Sequence, residues 1–386
     1  MKIIMLSSDF LPNIGGIAAH IYHISKALQK IGHEVVILNP IVANYNEIKV
    51  EDIDGLLCYR IYYTNKYSNR IKRIYNRENS VINGYNKIIQ NHGEFDILHS
   101  HDYINNTLSS TFLSFKINWI WTNHSSGFLL DYNINKNRIL SKILYSRLKG
   151  CITVSEEIFE KTKELLPNKN ITYIPNGVDT EKFHPDIKVD KLKYGIEDND
   201  FVVLCPRRIV KKNGVLYFAL AIKQIMEESH QNIKFLLLGN EFIKGIDEEY
   251  LSQVLDIMKP YVKNGSVKLL GNLPMEVMPE VNALTDVVVM PSLMEAVSLS
   301  ALEGMATKKA IVSTNVGGLP EIIHHMKTGL LVDPEDPDAI AKEILRLKED
   351  HVLREQLAEG AYEFSTENYS WKTIAEKTQK YYEKVM

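Results

Sequence analysis

The chain has 386 residues, 45% of them hydrophobic and 24% charged, with a net charge of −3. That composition excludes a disordered chain, and the balance of charge carries no nucleic-acid signature. At roughly 100–200 residues per domain, the length asks for two domains rather than one core.

The charge is unevenly spread. Residues 1–182 hold 21 Lys and Arg against 17 Asp and Glu, and the remainder holds 24 against 31. A cationic first half suggests a lobe that meets an anionic surface. Cys58, Cys151 and Cys205 are odd in number and far apart. They fit neither a disulfide framework nor zinc spacing, and favour a reducing cytoplasm. MKIIMLSSDFLP at the start reads as a core strand rather than a signal peptide, and no apolar run is long enough to span a bilayer.

In chain order, KIIML (2–6) is followed by a Gly-Gly turn, an amphipathic stretch over 17–32 and the strand HEVVILNP (33–40). This is a βαβ unit, the building block of a parallel sheet. DILHSH (96–101), WIWTNH (119–124), CITVS (151–155) and ITYIPN (171–176) continue the series. The polar stretch 184–200 lacks an apolar period and reads as a linker. A second series follows: FVVLCP (201–206), a helix near 214–229, KFLLLG (234–239), VKLLG (267–271), DVVVMP (286–291) and AIVST (310–314). The expected fold class is α/β, with two facing Rossmann-like domains, 1–184 and 185–386. The site is expected in the cleft between them, beyond the carboxyl ends of the strands. The last helical stretch, 369–385, could cap the second domain or return to the first.

Four features carry chemistry. In PSLMEAVSLSALEGMA (291–306) a helix starting near Val297 or Ser298 leaves Glu295 at its N-terminus and Glu303 about two turns inside. Such a helix end suits a phosphate, and carboxylates accept from sugar hydroxyls. The plain alternative is a dipole partner and a solvated helix residue. CPRRIVKKNG (205–214) packs four cations after a strand, either a phosphate pocket or a solvated loop. Gly15-Gly16 lacks the spacing of a dinucleotide fingerprint or a P-loop, and by itself is as well explained by a tight turn. His99, His101 and His124 end neighbouring strands, which favours a cleft role for them. No pair has metal-type spacing, so no metal is expected.

Together these residues resemble glycosyltransferase family 4, a retaining family with the GT-B fold. The likeness runs through the early Gly-Gly turn, VSEEIFEK, IPNGVDTEKFHP (173–185), the Arg/Lys loop, LLGNLPMEVM (269–278), the glutamate segment and STNVGGLPEII (313–323). The resemblance implies that Arg207 and Lys212 neutralise the donor diphosphate, with Arg208 the alternative arginine. It implies that Glu303 grips the donor ribose, and that Glu295 faces the transferred sugar. Backbone N–H groups near Ser298 and Leu299, with Gly16 from the first domain, would meet the distal phosphate. His101 would lie beside the sugar, and His124 near the acceptor. Family members usually carry glycines after the first glutamate, where this chain has Ala296 and Ser298. That departure weakens any inference about which sugar fits.

The implied activity is metal-independent, retaining transfer from a nucleotide sugar to a glycan, lipid-linked or protein-linked hydroxyl, with no further cofactor. UDP-sugars such as UDP-GlcNAc or a UDP-hexose are the default donor, with GDP-sugars the alternative. Residues 65–77 and 133–150 carry five cations each and no acid, so they are expected either as solvated faces or as contacts to an anionic membrane surface. Other GT-B enzymes (an epimerase or phosphorylase), a non-catalytic sugar-binding partner and a bilobal solute-binding protein fit the motifs less well.

Overall fold

The apolar runs form two parallel sheets in a computed structural model that describes residues 1–13, 15–67, 69–101, 106–124, 143–228, 232–239, 247–295 and 297–386. The chain divides into two compact units, Met1–Gly177 with Trp371–Met386, and Val178–Ser370.

The first unit is built on eight strands: β1 Lys2–Leu6, β2 Glu34–Ala43, β3 Glu47–Ile53, β4 Leu56–Thr64, β5 Ile97–His101, β6 Asn118–Asn123, β7 Gly150–Thr153 and β8 Asn170–Tyr173. Their order is β3-β4-β2-β1-β5-β6-β7-β8. Only β3, antiparallel to β4, breaks the parallel arrangement. Ile3, Ile4, Met5 and Leu6 are fully buried, as befits a central strand covered on both faces. Helix α1, Gly16–Lys30, follows β1, and helix α2, Arg70–His92, follows β4. The terminal helix Trp371–Val385 belongs to this unit, where the Tyr381 hydroxyl donates to the carbonyls of Asn170 and Cys151.

The second unit has β9 Phe201–Pro206, β10 Ile233–Leu238, β11 Val267–Gly271, β12 Val287–Met290, β13 Ala310–Thr314 and β14 Leu330–Val332. All are parallel, in the order β11-β10-β9-β12-β13-β14. Along β9, Val203 and Cys205 join one core with Phe218, while Val202 and Leu204 join the other with Leu302 and Met305. Both faces of the strand are therefore covered, and its sequence shows no polar alternation.

The stretch 184–200 is not a linker. Ile196 is fully buried in the second unit's core, and the Tyr194 hydroxyl donates to Glu280. The anchors are single residues at irregular spacing, so they leave no periodic signal. The chain passes between units at Gly177–Val178 and again at Ser370–Trp371. Inside the second unit, the Val178 N–H donates to the Tyr369 carbonyl at 2.7 Å, tying its two ends together.

Candidate active site

The carboxyl ends of β9, β12 and β13 lie side by side at one edge of the second sheet. The loops that follow them are stitched by backbone contacts. The Lys212 carbonyl accepts the N–H groups of Leu293 and Met294, at 2.8 and 3.2 Å. Gly214 adopts φ +65, and a Cβ there would overlap the Pro291 carbonyl oxygen. Gly317, at φ +52, lies as close to the Glu295 carbonyl, which also accepts the Gly318 N–H at 3.2 Å. Only glycine combines positive φ with such close approach.

This frame presents the charged residues. Arg207 turns inward, donating from Nη2 to Asn213 Oδ1 at 2.9 Å and to Glu295 Oε2 in a close ion pair. Its Nε is buried with no partner among the described residues. Arg208 and Lys212 are exposed and make no side-chain hydrogen bond or ion pair among those residues. The double arginine therefore splits into one inward and one outward side chain. Asn213 holds the turn by donating to the Arg208 carbonyl, a role the motif KKNG did not announce.

The helix Leu299–Ala306 begins one residue after Ser298, its N-cap, whose Oγ accepts the Ala301 N–H at 3.4 Å. The Leu302 N–H goes to the Ser298 carbonyl, so Leu299 and Ser300 keep N–H groups without a partner from the helix itself. The Ser298 hydroxyl is thus committed to the cap, and Ala296 lies outside the described residues. Glu303 is half-buried, and desolvation pushes its carboxyl up to about 8. At that value the protonated form predominates at neutral pH, and among the described residues nothing hydrogen-bonds to the carboxyl.

In the first unit, α1 opens at Gly16, capped by Gly15 in extended conformation. A Cβ on Gly16 would meet nothing within 4 Å, so packing inside the unit gives no reason for glycine there. His101 ends β5, and its Nδ1 lies 3.0 Å from His124 Nε2, within hydrogen-bond distance. Its Nε2 is buried without a partner among the described residues. His99 differs from expectation: it is a core residue bonded to the Tyr382 hydroxyl and to Thr122, both at 2.6 Å. It shares the face of β5 with His101 and packs against Tyr382 of the terminal helix.

Sequence reasoning missed His20 on α1, whose Nδ1 meets Asn176 Oδ1 at 2.8 Å. Its ring lies edge-on to His124 at 4.5 Å and to Trp371 at 5.4 Å. The signal was present, four residues after Gly16 and in IPNGVD, but nothing local links the two motifs. Burial lowers the His20 imidazole to about 4 and His99 to about 3, and holds His101 and His124 well below the ordinary range. All four rings are neutral near pH 7. Candidate ligand nitrogens of His20, His101 and His124 lie within 4.8 Å of one another, a convergence that sequence spacing did not show. Residues 133–142 of the second basic stretch lie outside the described residues.

Residues 186–364 match the family description "Glycosyl transferases group 1", and residues 14–182 match "Glycosyltransferase Family 4". The chain belongs to glycosyltransferase family 4. Among curated relatives, this glycosyltransferase is 27% identical to an uncharacterised glycosyltransferase of Methanocaldococcus jannaschii, over 100% of this chain and 99% of that one. It is also 27% identical to the gpi3 subunit of the phosphatidylinositol N-acetylglucosaminyltransferase of Schizosaccharomyces pombe, over 99% of this chain and 80% of the relative. Sucrose-phosphate synthase of Thermosynechococcus elongatus aligns with TM-score 0.81 at 20% identity, covering 99% and 98% of the two chains. HepE of Anabaena, solved with UDP-glucose, aligns at TM-score 0.74 and 18% identity over the full length of both. These likenesses give the fold, GT-B. No helix among the described residues is long and apolar enough to cross a membrane.

Proposed function

We propose that this glycosyltransferase moves a sugar from a UDP-sugar to the hydroxyl of a glycan or lipid-linked acceptor, with retention at the anomeric carbon and without a metal ion. The observation that carries the reading is the stitched edge of the second unit. There Arg207, Lys212 and the end of the helix Leu299–Ala306 are fixed on interlocked loops. A relative named as a phosphatidylinositol N-acetylglucosaminyltransferase component, and a GT-B neighbour solved with UDP-glucose, support the donor class and a lipid acceptor.

The bond from the anomeric carbon to the phosphate oxygen breaks, its electron pair leaves with UDP, and an oxocarbenium-like sugar remains. The acceptor oxygen adds from the face the diphosphate vacates, and a phosphate oxygen takes its proton. Negative charge grows on the leaving group, so fixed positive charge lowers the barrier. Arg207, Lys212 and the N–H groups of Leu299 and Ser300 supply it, and Arg208 is the outward reserve. Glu295, paired with Arg207 when no donor is bound, accepts from hydroxyls of the transferred sugar. Glu303 takes the ribose. Gly16 is assigned to the distal phosphate, His101 to the sugar and His124 to the acceptor. The acceptor is delivered at an anionic membrane surface, with the exposed Ile71, Tyr75 and Lys72 of α2 as the contact.

Arg207→Ala and Lys212→Ala should each slow transfer by about 10²–10³-fold. NMR of the product should show the donor's anomeric configuration, and chelator should leave the rate unchanged. An inverted product, or full activity in Arg207→Ala, would falsify this reading.

A further inference from the structure

A cavity of about 760 Å³ in the first unit takes no part in the mechanism above. Its walls hold Arg60, Arg70, Arg73 and Arg77 with aromatic surface from Phe10 and Tyr62, and no carboxylate lines it among the described residues. Its volume is that of a small-molecule site rather than of a bare ion.

The four arginines form two pairs. Arg60 donates to Glu51 at 2.9 Å and Asn39 at 2.7 Å, and Arg77 donates to Glu78 at 2.7 Å and Asn106 at 2.6 Å. These inner guanidinium groups are pinned and neutralised. Arg70 and Arg73 are exposed and have no side-chain hydrogen bond or ion pair among the described residues. Two positive charges at the cavity are thus uncompensated.

The placement is unfavourable for folding alone. Arg70, Arg73 and Arg77 recur at i, i+3 and i+7, so they share one face of α2. They occupy its first two turns, where the helix end is already positive, and the first turn holds no acid. Like charges three apart at that end each cost some tenths of a kcal/mol. An anion between them would reverse the sign of every one of these terms.

We propose that this cavity binds a phosphate ester carried by the acceptor. Arg70 and Arg73 grip the phosphate oxygens, Arg60 and Arg77 form the fixed inner wall, and Phe10 and Tyr62 cover the carbon skeleton beside it. The inference rests on the glycosyltransferase reading for the word acceptor. The same phosphate chemistry is offered by a soluble polyol phosphate and by a phospholipid headgroup.

The test compares wild type, Arg70→Gln/Arg73→Gln and Lys87→Gln/Lys116→Gln, the last pair being exposed lysines of the same unit outside both the cavity and the membrane contact. The probes are glycerol phosphate in solution and vesicles of equal parts phosphatidylglycerol and phosphatidylcholine. Thermal stabilisation by UDP-sugar is the independent readout. The arginine variant should lose about tenfold to a hundredfold in affinity for whichever probe binds, with stabilisation by UDP-sugar unchanged. The lysine variant should keep its affinity for glycerol phosphate. Binding of the soluble probe supports a soluble acceptor, and binding of vesicles alone, lost in the arginine variant and kept in the lysine variant, supports a headgroup. Equal loss in both variants, undiminished binding in the arginine variant, or no binding by wild type overturns the proposal. Phosphate binding in a protein that no UDP-sugar stabilises overturns the acceptor role and the UDP-sugar reading together.

Discussion

In the first unit, four imidazoles lie around β5 and desolvation holds them neutral, whereas in the second unit desolvation raises the carboxyl of half-buried Glu303. Desolvation is the leading cause in both, yet the surroundings differ. His99 and His20 are satisfied from within their unit, by Tyr382, Thr122 and Asn176. Glu303 has no such partner among the described residues. A buried polar group that finds its bonds internally is part of the core, and one that does not is waiting for a ligand. The two units should therefore answer pH in opposite directions.

The largest expected effect is acid unfolding of the first unit. Unfolded histidine takes up its proton near 6.5, while His20 resists until about 4 and His99 until about 3. Between those values the unfolded state binds more protons, so stability falls as pH falls, by about 1.4 kcal/mol per pH unit for each histidine. Four together can exhaust a typical domain stability of about 5–15 kcal/mol within a few pH units. All three tryptophans, Trp119, Trp121 and Trp371, lie in this unit, so intrinsic fluorescence reports on it alone. The fluorescence transition should fall between pH 4 and 6.5, while hydrogen exchange shows the second unit still protected. Glu303 has the reverse sign: the stability of its protonated form is full below the ordinary carboxylate value and declines as pH rises towards 8. A steady tryptophan signal down to pH 4, or a second unit that opens first, would break the comparison.

What the sequence revealed follows the same divide between local and convergent features. Strands such as β9 and β12 were legible because burial on both faces leaves an uninterrupted apolar run. The β3–β4 hairpin was missed because exposed Glu47 and Lys49 dilute its pattern. Its turn, Asp54-Gly55 with both residues at positive φ, was the readable signal. Arg207, Lys212 and Glu295 stood out as charges set in strand-to-helix loops, and Glu303 as a carboxylate inside an otherwise apolar helix. The difference between His99 and His101 was not legible, because it depends on Tyr382, 283 positions away in sequence. The pairing of His20 with Asn176 likewise joins motifs 156 positions apart.

A smaller effect separates the glycines of the two units. Gly214→Ala and Gly317→Ala force a side chain into positive φ and against a carbonyl oxygen of the glutamate loop, and each should cost about 2–4 kcal/mol in the second unit. Gly16→Ala places a methyl in open space at the start of a helix, and should leave stability level or raise it by up to about 1 kcal/mol. Denaturant midpoints measure all three. Comparable losses would mean that Gly16 is held by packing after all, and would remove the structural argument for a ligand beside it.

The finest test concerns Glu303 alone, with UDP as the probe so that contacts to the transferred sugar do not enter. Ribose hydroxyls donate, so they favour the carboxylate over the neutral acid that predominates below about 8. Binding must then release a proton in that range. UDP affinity should rise with pH, by up to tenfold per unit below about 8, and level off above it. Calorimetry in two buffers of different ionisation enthalpy should detect the released proton directly. Glu303→Gln removes the titration: its affinity should be flat with pH and, above 8, about tenfold weaker than wild type. A wild-type affinity that ignores pH, or a slope that survives in Glu303→Gln, would place the ribose elsewhere. Glu303 would then join the histidines as a core residue, and the contrast between the units would lose its functional meaning.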